Sequence, residues 1–245
     1  MRTQGAGSKK GSRRPATRRA ARSHSARTTP GTLTPGRVVQ TAVRLAERQG
    51  LDAISMRTLA TELGVEAMSL YSHVPSKQVL LGRMASHVVN TVPTPRASLP
   101  PRERLLRLAR AIRASAGAHP NVFPLVVLLP LEIHSAARFT EFTLQAFIDA
   151  GLTDTQAIRG MRLFLSYVRG YVLWEIGGFA AGRRASPTRR VHPQVLGDVE
   201  RLEPELFPQT RRLARTMVRT NPDTDFRDGC IRMLDAMLHK RGTRA

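Results

Sequence analysis

Residues 55–77 read SMRTLATELGVEAMSLYSHVPSK, and their spacing decides the fold. Leu59 and Leu63 lie one helical turn apart, and Ala60 between them is small enough for a second helix to approach closely. Gly64 follows where the chain leaves that helix, a position that asks for φ > 0 and so for glycine. Val65 and Leu70 then give the next helix its apolar contacts. Two short helices, a tight turn and the start of a third describe a helix-turn-helix, whose second helix enters the major groove of DNA. The alternative, a plain corner between two helices, leaves the polar residues past the turn unexplained. Ser69, Tyr71, Ser72 and His73 fall on the second helix, and their hydroxyls and imidazole are donors suited to phosphate oxygens. Tyr71 is the only aromatic residue before Phe123, on a helix with little apolar surface to use it as core. Ser76, after Pro75, predicts the N-cap of a third helix with Lys77 in its first turn, where free N–H groups and the lysine both favour an anion.

Working outward, Thr34 followed by Pro35 predicts a helix start, and Val38, Ala42 and Leu45 recur at helical spacing up to a terminating Gly50. The helix opened by Lys77 runs to about Asn90. The stretch TVPTPRASLPP at 91–101, with four prolines in eleven residues, then breaks the pattern and is read as a stiff domain hinge. The chain is expected to divide into a disordered basic tail at 1–33, a DNA-binding domain at 34–92 and a larger helical domain at 93–245.

Residues 35–85 resemble the DNA-binding domain of the tetracycline-repressor (TetR) family of bacterial transcription regulators. The resemblance rests on the first helix with its trailing Gly50, the SMRTLATELGV helix and turn, and SLYSHVPSK leading into VLL. It implies that Arg57 reaches a base or phosphate, that Ala67, Met68 and Ser69 face base edges, and that Tyr71, His73 and Lys77 grip the backbone. Met56 departs from the pattern, since many relatives carry a phosphate-touching hydroxyl there. Ala67 and Met68 cannot fork to a base and would read it by apolar contact, for example with thymine methyl groups, whereas Arg57 can fork to guanine.

The charge of +21 is unevenly spread. Residues 1–34 hold nine basic side chains and no acidic one, residues 35–92 six against four, and residues 93–245 twenty-four against fourteen. The DNA-binding domain is thus nearly neutral. The tail either adds sequence-independent, salt-sensitive affinity for DNA or serves only as a solvated extension. No apolar run reaches eighteen residues and no apolar stretch follows the basic N-terminus, so a cytoplasmic protein with no membrane partner is expected. A single cysteine, Cys230, in an apolar helical pattern, fits that reducing compartment as a core or interface residue. No Ser/His/Asp arrangement, paired His–Glu motif, glycine-rich phosphate loop or cysteine metal spacing is present, which argues against an enzyme.

The second domain is helical throughout its pattern, giving an all-α fold. Leu105, Leu108 and Ile112 predict a helix over about Pro101–Ala116, Asn121 to Leu129 is a short apolar segment, and Phe139 to Ala150 marks a helix closed by Gly151. Thr153 with Gln156 is a capping box opening the longest helix. On it Ile158, Met161, Leu165, Val168, Val172 and Ile176 form one apolar stripe, and Phe164, Tyr167, Tyr171 and Trp174 a second. Arg159, Arg162, Ser166 and Arg169 make a third, polar stripe. A basic loop, GRRASPTRRVHPQ, follows, then helices over about Pro208–Arg219 and Pro222–Lys240.

In the family, two C-terminal helices of each subunit form a four-helix dimer interface, which the resemblance assigns to residues around 154–176 and 222–240. Nine of the twelve aromatic residues lie between Phe123 and Phe179. That clustering suits either plain core or an apolar effector pocket with His119, Phe123, Phe139, Phe142, Phe164, Tyr167, Tyr171 and Trp174 as candidate lining, and His134 or Glu175 as further polar fixtures. The segment around Pro93 lacks the histidine of the magnesium–tetracycline site in the family's namesake, so no metal and no cofactor are expected. The resulting expectation is a homodimeric repressor on a palindromic DNA operator, released by an apolar small molecule. A regulator without effector, an activator, and a non-specific architectural DNA-binding protein are the alternatives.

Overall fold

A computed structural model describes residues 32–177, 193–219 and 221–238, and all regular structure among them is helical. The basic tail, apart from its last two residues, and most of the basic loop fall outside this description. Helix α1 spans Pro35–Gln49, α2 Met56–Leu63, α3 Ala67–Tyr71 and α4 Lys77–Thr91. Beyond the proline-rich connector come α5 Pro101–Ala118, α6 Phe123–Leu128, α7 Ile133–Asp149 and α8 Asp154–Gly177. Three more helices are α9 Pro193–Glu200, α10 Pro208–Arg219 and α11 Pro222–Leu238. The structure departs from the sequence reading at the single 3-10 turn at Leu51–Ala53, at α3, which stops at Tyr71 and leaves Ser72 and His73 in the following turn, and at α9, whose first residues Pro193 and Gln194 the sequence assigns to the basic loop.

The first four helices form where their caps say. Thr34 accepts the Arg37 N–H at 3.2 Å with Pro35 in the first turn, and Ser76 accepts the Val79 N–H at 3.2 Å. Gly64 ends α2 in the left-handed region at φ 70°. Side chains that define the turn, Leu59, Leu63, Leu70 and Val74, are buried together with Val38, Ala42 and Leu45 of α1 and Leu80 and Met84 of α4. Helix α4 does not stop at this small core. It packs on α1 along one side and on α6, α7 and α5 along the other, so one continuous apolar core runs across the proposed domain boundary.

Helix α8 corrects the stripe reading. Its buried line is Ala157, Gly160, Phe164, Val168, Val172 and Glu175, which cuts across both apolar stripes, while Ile158, Leu163 and Trp174 are exposed. One side of α8 packs on α7, with Phe147 and Phe164 edge to face at 6.5 Å. Its other flank meets α5 and α11. There Tyr167 stacks on Phe226 at 6.3 Å, and a Cβ on Gly229 would lie 1.8 Å from the Tyr167 hydroxyl, so glycine is what lets the two helices close. Cys230 is buried in this contact, and burial pushes its thiol up to about 12. Among the described residues no helix is long and apolar enough to cross a membrane.

Candidate functional site

The helix-turn-helix presents a coherent polar surface. Ser55 and Thr58 lock the start of α2 in a reciprocal box: Ser55 Oγ accepts the Thr58 N–H and Thr58 Oγ1 accepts the Ser55 N–H, both at 3.0 Å. Thr58 Oγ1 also donates to the Ala53 carbonyl at 2.7 Å. The sequence reading passed over Thr58; the signal was a serine followed three residues later by a second side chain able to bond back. Met56 is buried, so the residue that breaks the family pattern is spent on the core. Arg57 follows it fully on the outside.

On α3, Leu70 points inward at 0 % exposure, whereas Met68 is 76 % and Tyr71 44 % exposed. Ser69 and Ser72 are exposed as well, and Ala67 and His73 are half-buried. An exposed methionine and tyrosine on a five-residue helix that needs one core side chain are free for a partner. Lys77 is exposed in the first turn of α4. Arg83 of α4 donates to the His73 carbonyl at 2.7 Å and so ties the exit of α3 to the next helix. The seven residues chosen from sequence thus lie at the start of α2 (Arg57), on α3 (Ala67, Met68, Ser69 and Tyr71), in the turn after it (His73) and at the start of α4 (Lys77). Helix α3 ends at Tyr71, so Ser72 and His73 fall past the helix and not on it.

A second feature lies at the far end of α4. Val88 and Val89 of that helix and its C-cap Val92 wall a cavity together with Ile112 of α5 and Phe123 and Val126 of α6. Leu131, Ala136 and Phe139 close the α7 side, and Arg169 of α8 enters as the one charged lining residue described. The cavity is small, about 30 Å³, and opens toward solvent. Of the aromatic candidates, Phe123 and Phe139 line it.

The others lie elsewhere. Phe164 is core against Phe147, Phe142 is half-buried, and Tyr167, Tyr171 and Trp174 form a chain of ring contacts reaching Phe226. Tyr171 donates to the Pro222 carbonyl at 3.0 Å, and burial pushes its hydroxyl up to about 12. Glu175 is held by Arg113 through two bonds of 2.8 and 2.6 Å, while His134 is exposed. His119 caps α5, its Nδ1 buried without a partner among the described residues. Sequence reasoning missed the aliphatic wall, because Val88, Val89 and Val92 carry no signal beyond ordinary helix core, and it placed Arg169 on a polar stripe and not in the cavity.

Three ties bind α4 and α1 to the helices beyond the connector. Glu47 of α1 accepts the N–H groups of Asn121 and Val122 at 3.2 and 3.0 Å, while the Asn121 side chain donates to the Ala46 and Glu47 carbonyls at 3.0 and 3.2 Å. Ser86 accepts the Glu132 N–H at 2.9 Å. Arg138 of α7 donates to the Val92 and Val89 carbonyls at 2.9 and 3.3 Å, capping the C-terminal end of α4 beside the cavity.

Known proteins match both halves. The family described as "Bacterial regulatory proteins, tetR family" matches residues 38–84, and "Tetracyclin repressor-like, C-terminal domain" matches residues 98–241. The transcriptional repressor DrrR1 of Streptomyces coeruleorubidus is 34% identical over 155 residues, which cover 62% of this chain but only 57% of that relative. A class A tetracycline repressor from Escherichia coli is 26% identical over 83% of this chain and 90% of its own length. Among solved structures, the TetR-family protein ActR of Streptomyces coelicolor in complex with (S)-DNPA superimposes with a TM-score of 0.69 at 27% identity, over 86% of this chain and 100% of that one. ActR in complex with actinorhodin superimposes equally well, at a TM-score of 0.69 and 26% identity over 87% and 100% of the two chains. This chain belongs to the TetR family and is a DNA-binding transcriptional regulator built on a helix-turn-helix.

Proposed function

We propose that this regulator is a cytoplasmic repressor that binds a palindromic operator as a homodimer and leaves it when a small molecule fills the cavity. The observation that carries the reading is the double use of α4. Its first turns hold the exit of α3 through the Arg83 bond to His73, and its last turns wall the cavity. A molecule that enlarges the cavity presses on Val88, Val89 and Val92 and displaces the same helix that positions Lys77 and α3. A ligand shifts such an equilibrium only by the difference in its affinity for the two arrangements. The small space in this arrangement means a larger effector favours a more open one. DrrR1, named a repressor, and ActR, solved with two small molecules, lend the reading support.

At the operator, Arg57 and the Ala67, Met68 and Ser69 face would read bases, and Tyr71, His73 and Lys77 would hold phosphates. One short helix gives little specificity, so two copies set roughly 34–36 Å apart in successive major grooves are needed. Helices α8 and α11 supply the pairing surface in this reading, and exposed Ile158, Leu163 and Trp174 on α8 are available to it. Selection of bound DNA from a random pool with the full chain tests the proposal. A two-fold motif that small molecules then dissociate supports it. Recovery of no motif favours the architectural protein, and a non-palindromic motif overturns the dimer geometry.

A further inference from the structure

Arg169 stands apart from the residues with which it shares a helix face. Arg159, Arg162 and Ser166 are exposed, but Arg169 is half-buried and lines a cavity whose other described walls are apolar. Among the described residues no hydrogen bond or ion pair reaches its guanidinium, and no acidic side chain lines the cavity with it. Burial alone pulls it below the ordinary arginine value, with no neighbouring carboxylate to offset the effect. Other buried or half-buried arginines are engaged: Arg104 on Asp149, Arg113 on Glu175 and Asp223, Arg102 on Asp235, Arg83 on the His73 carbonyl and Arg211 on the Leu202 carbonyl.

A guanidinium is a planar fork of donors matched to a carboxylate, and a partly desolvated one without a counter-charge is a poor structural element. Apolar walls with one such group describe a site for a molecule that is mostly apolar and carries one negative end. We infer that the cavity recognises an amphipathic organic monoanion, a carboxylate on an apolar body, and that Arg169 binds its charged end. The inference rests on the cavity being the effector site. It also gives the proposed effector a direction. The carboxylate is fixed on α8 at Arg169, so its apolar body lies against the α4 wall formed by Val88, Val89 and Val92.

The test is calorimetry on the full chain with three matched pairs: phenylacetate and phenylacetamide, 2-naphthoate and 2-naphthamide, octanoate and octanamide, at constant ionic strength. At least one acid is expected to bind about 10- to 100-fold more tightly than its amide. Arg169→Met should erase that preference by weakening the acid alone, and Arg169→Lys, which keeps the charge but loses the fork, should retain part of it. A role that was only structural would weaken acid and amide together. An amide that binds as well as its acid, or an acid preference that survives in Arg169→Met, overturns the anion assignment and leaves the cavity as effector site. If neither series binds, both the assignment and the effector site fail. The acid–amide comparison in the unaltered chain stands even if a variant does not fold.

Discussion

Replacing Glu47 tests whether α1 and α6 are held together by the contact seen between them. The Glu47 carboxylate accepts two backbone N–H groups, from Asn121 at 3.2 Å and Val122 at 3.0 Å, at the entry to α6. A hydrogen bond to a charged group contributes about 1.5–3 kcal/mol, so two would suggest up to roughly 6. The structure argues for much less. Burial raises the Glu47 pKa above its ordinary 4.5 despite both bonds and the nearby His119, so the cost of desolvating the carboxylate outweighs what they return to its charged form. Glu47→Ala should therefore cost about 1–2 kcal/mol, the range for a lost helix N-cap. Glu47→Gln keeps one acceptor and sheds the buried charge, so it should cost less than about 1 kcal/mol.

Urea unfolding of the full chain at pH 7 measures both variants, with the midpoint expected to move and the slope to stay fixed. The pH dependence has a definite sign. Because the folded value lies above 4.5, the folded chain holds the proton more tightly than the unfolded one. This group's contribution is thus lost as pH rises from about 4.5 through the folded value, and Glu47→Gln removes that slope. An alanine variant with an unmoved midpoint would mean that water satisfies the two N–H groups as well as Glu47 does. A glutamine variant as damaging as alanine would mean that the charge, not the acceptor, matters, and the argument from burial would be wrong.

His87 of α4 is shifted down by burial first and by His119 second, so its stability contribution is complete above pH 6.5 and is lost as pH falls toward the folded value; His87→Gln should flatten an unfolding-midpoint series taken downward from pH 6.5. Glu175→Ala leaves Arg113, whose side chain is 11 % exposed, with Asp223 and the Phe226 ring as its remaining partners, and should lower the unfolding free energy by about 2–4 kcal/mol in a denaturant titration. Once an operator is in hand, Lys77→Ala should weaken all DNA about equally and reduce the salt slope by about 1. Arg57→Ala should instead cost about 1–3 kcal/mol at the operator and little on random DNA, and equal losses on both would remove Arg57 from base reading.

The helix-turn-helix was legible because its determinants are local. Gly64 at φ 70°, the Ser76 cap and the outward Tyr71 each follow from residues within one or two turns. The cavity was not legible for the opposite reason. Its walls are drawn from five helices between Val88 and Arg169, and aliphatic α4 residues facing a void read the same as those facing another side chain. Helix α8 misled because it is apolar on more than one face. Periodicity finds such faces but not which one is buried, and Gly160 and Glu175 on the buried line carry no apolar signal. The Glu47–Asn121 tie spans 74 residues and pairs each polar side chain with backbone groups of the other segment, so both residues look solvated in the sequence.

Near-neutrality of residues 35–92 makes geometry more important than charge in this domain. In the function proposed above, weak electrostatic attraction from this domain makes operator affinity depend on setting a few donors at fixed places, so small displacements of those donors cost much of the binding. From Val89 to Lys77 is twelve residues of one helix, about 18 Å, which is long enough to carry a tilt from the cavity to the turn without bending. The ties at Glu47, Ser86 and Arg138 oppose that tilt at positions along α1 and α4, and two of them, Ser86 and the Val89 and Val92 carbonyls, lie within one turn of the cavity wall. In the function proposed above, an effector therefore strains or replaces these bonds to move α4. Loosening the Arg138 cap by substitution should mimic part of the effector's action even in an empty protein.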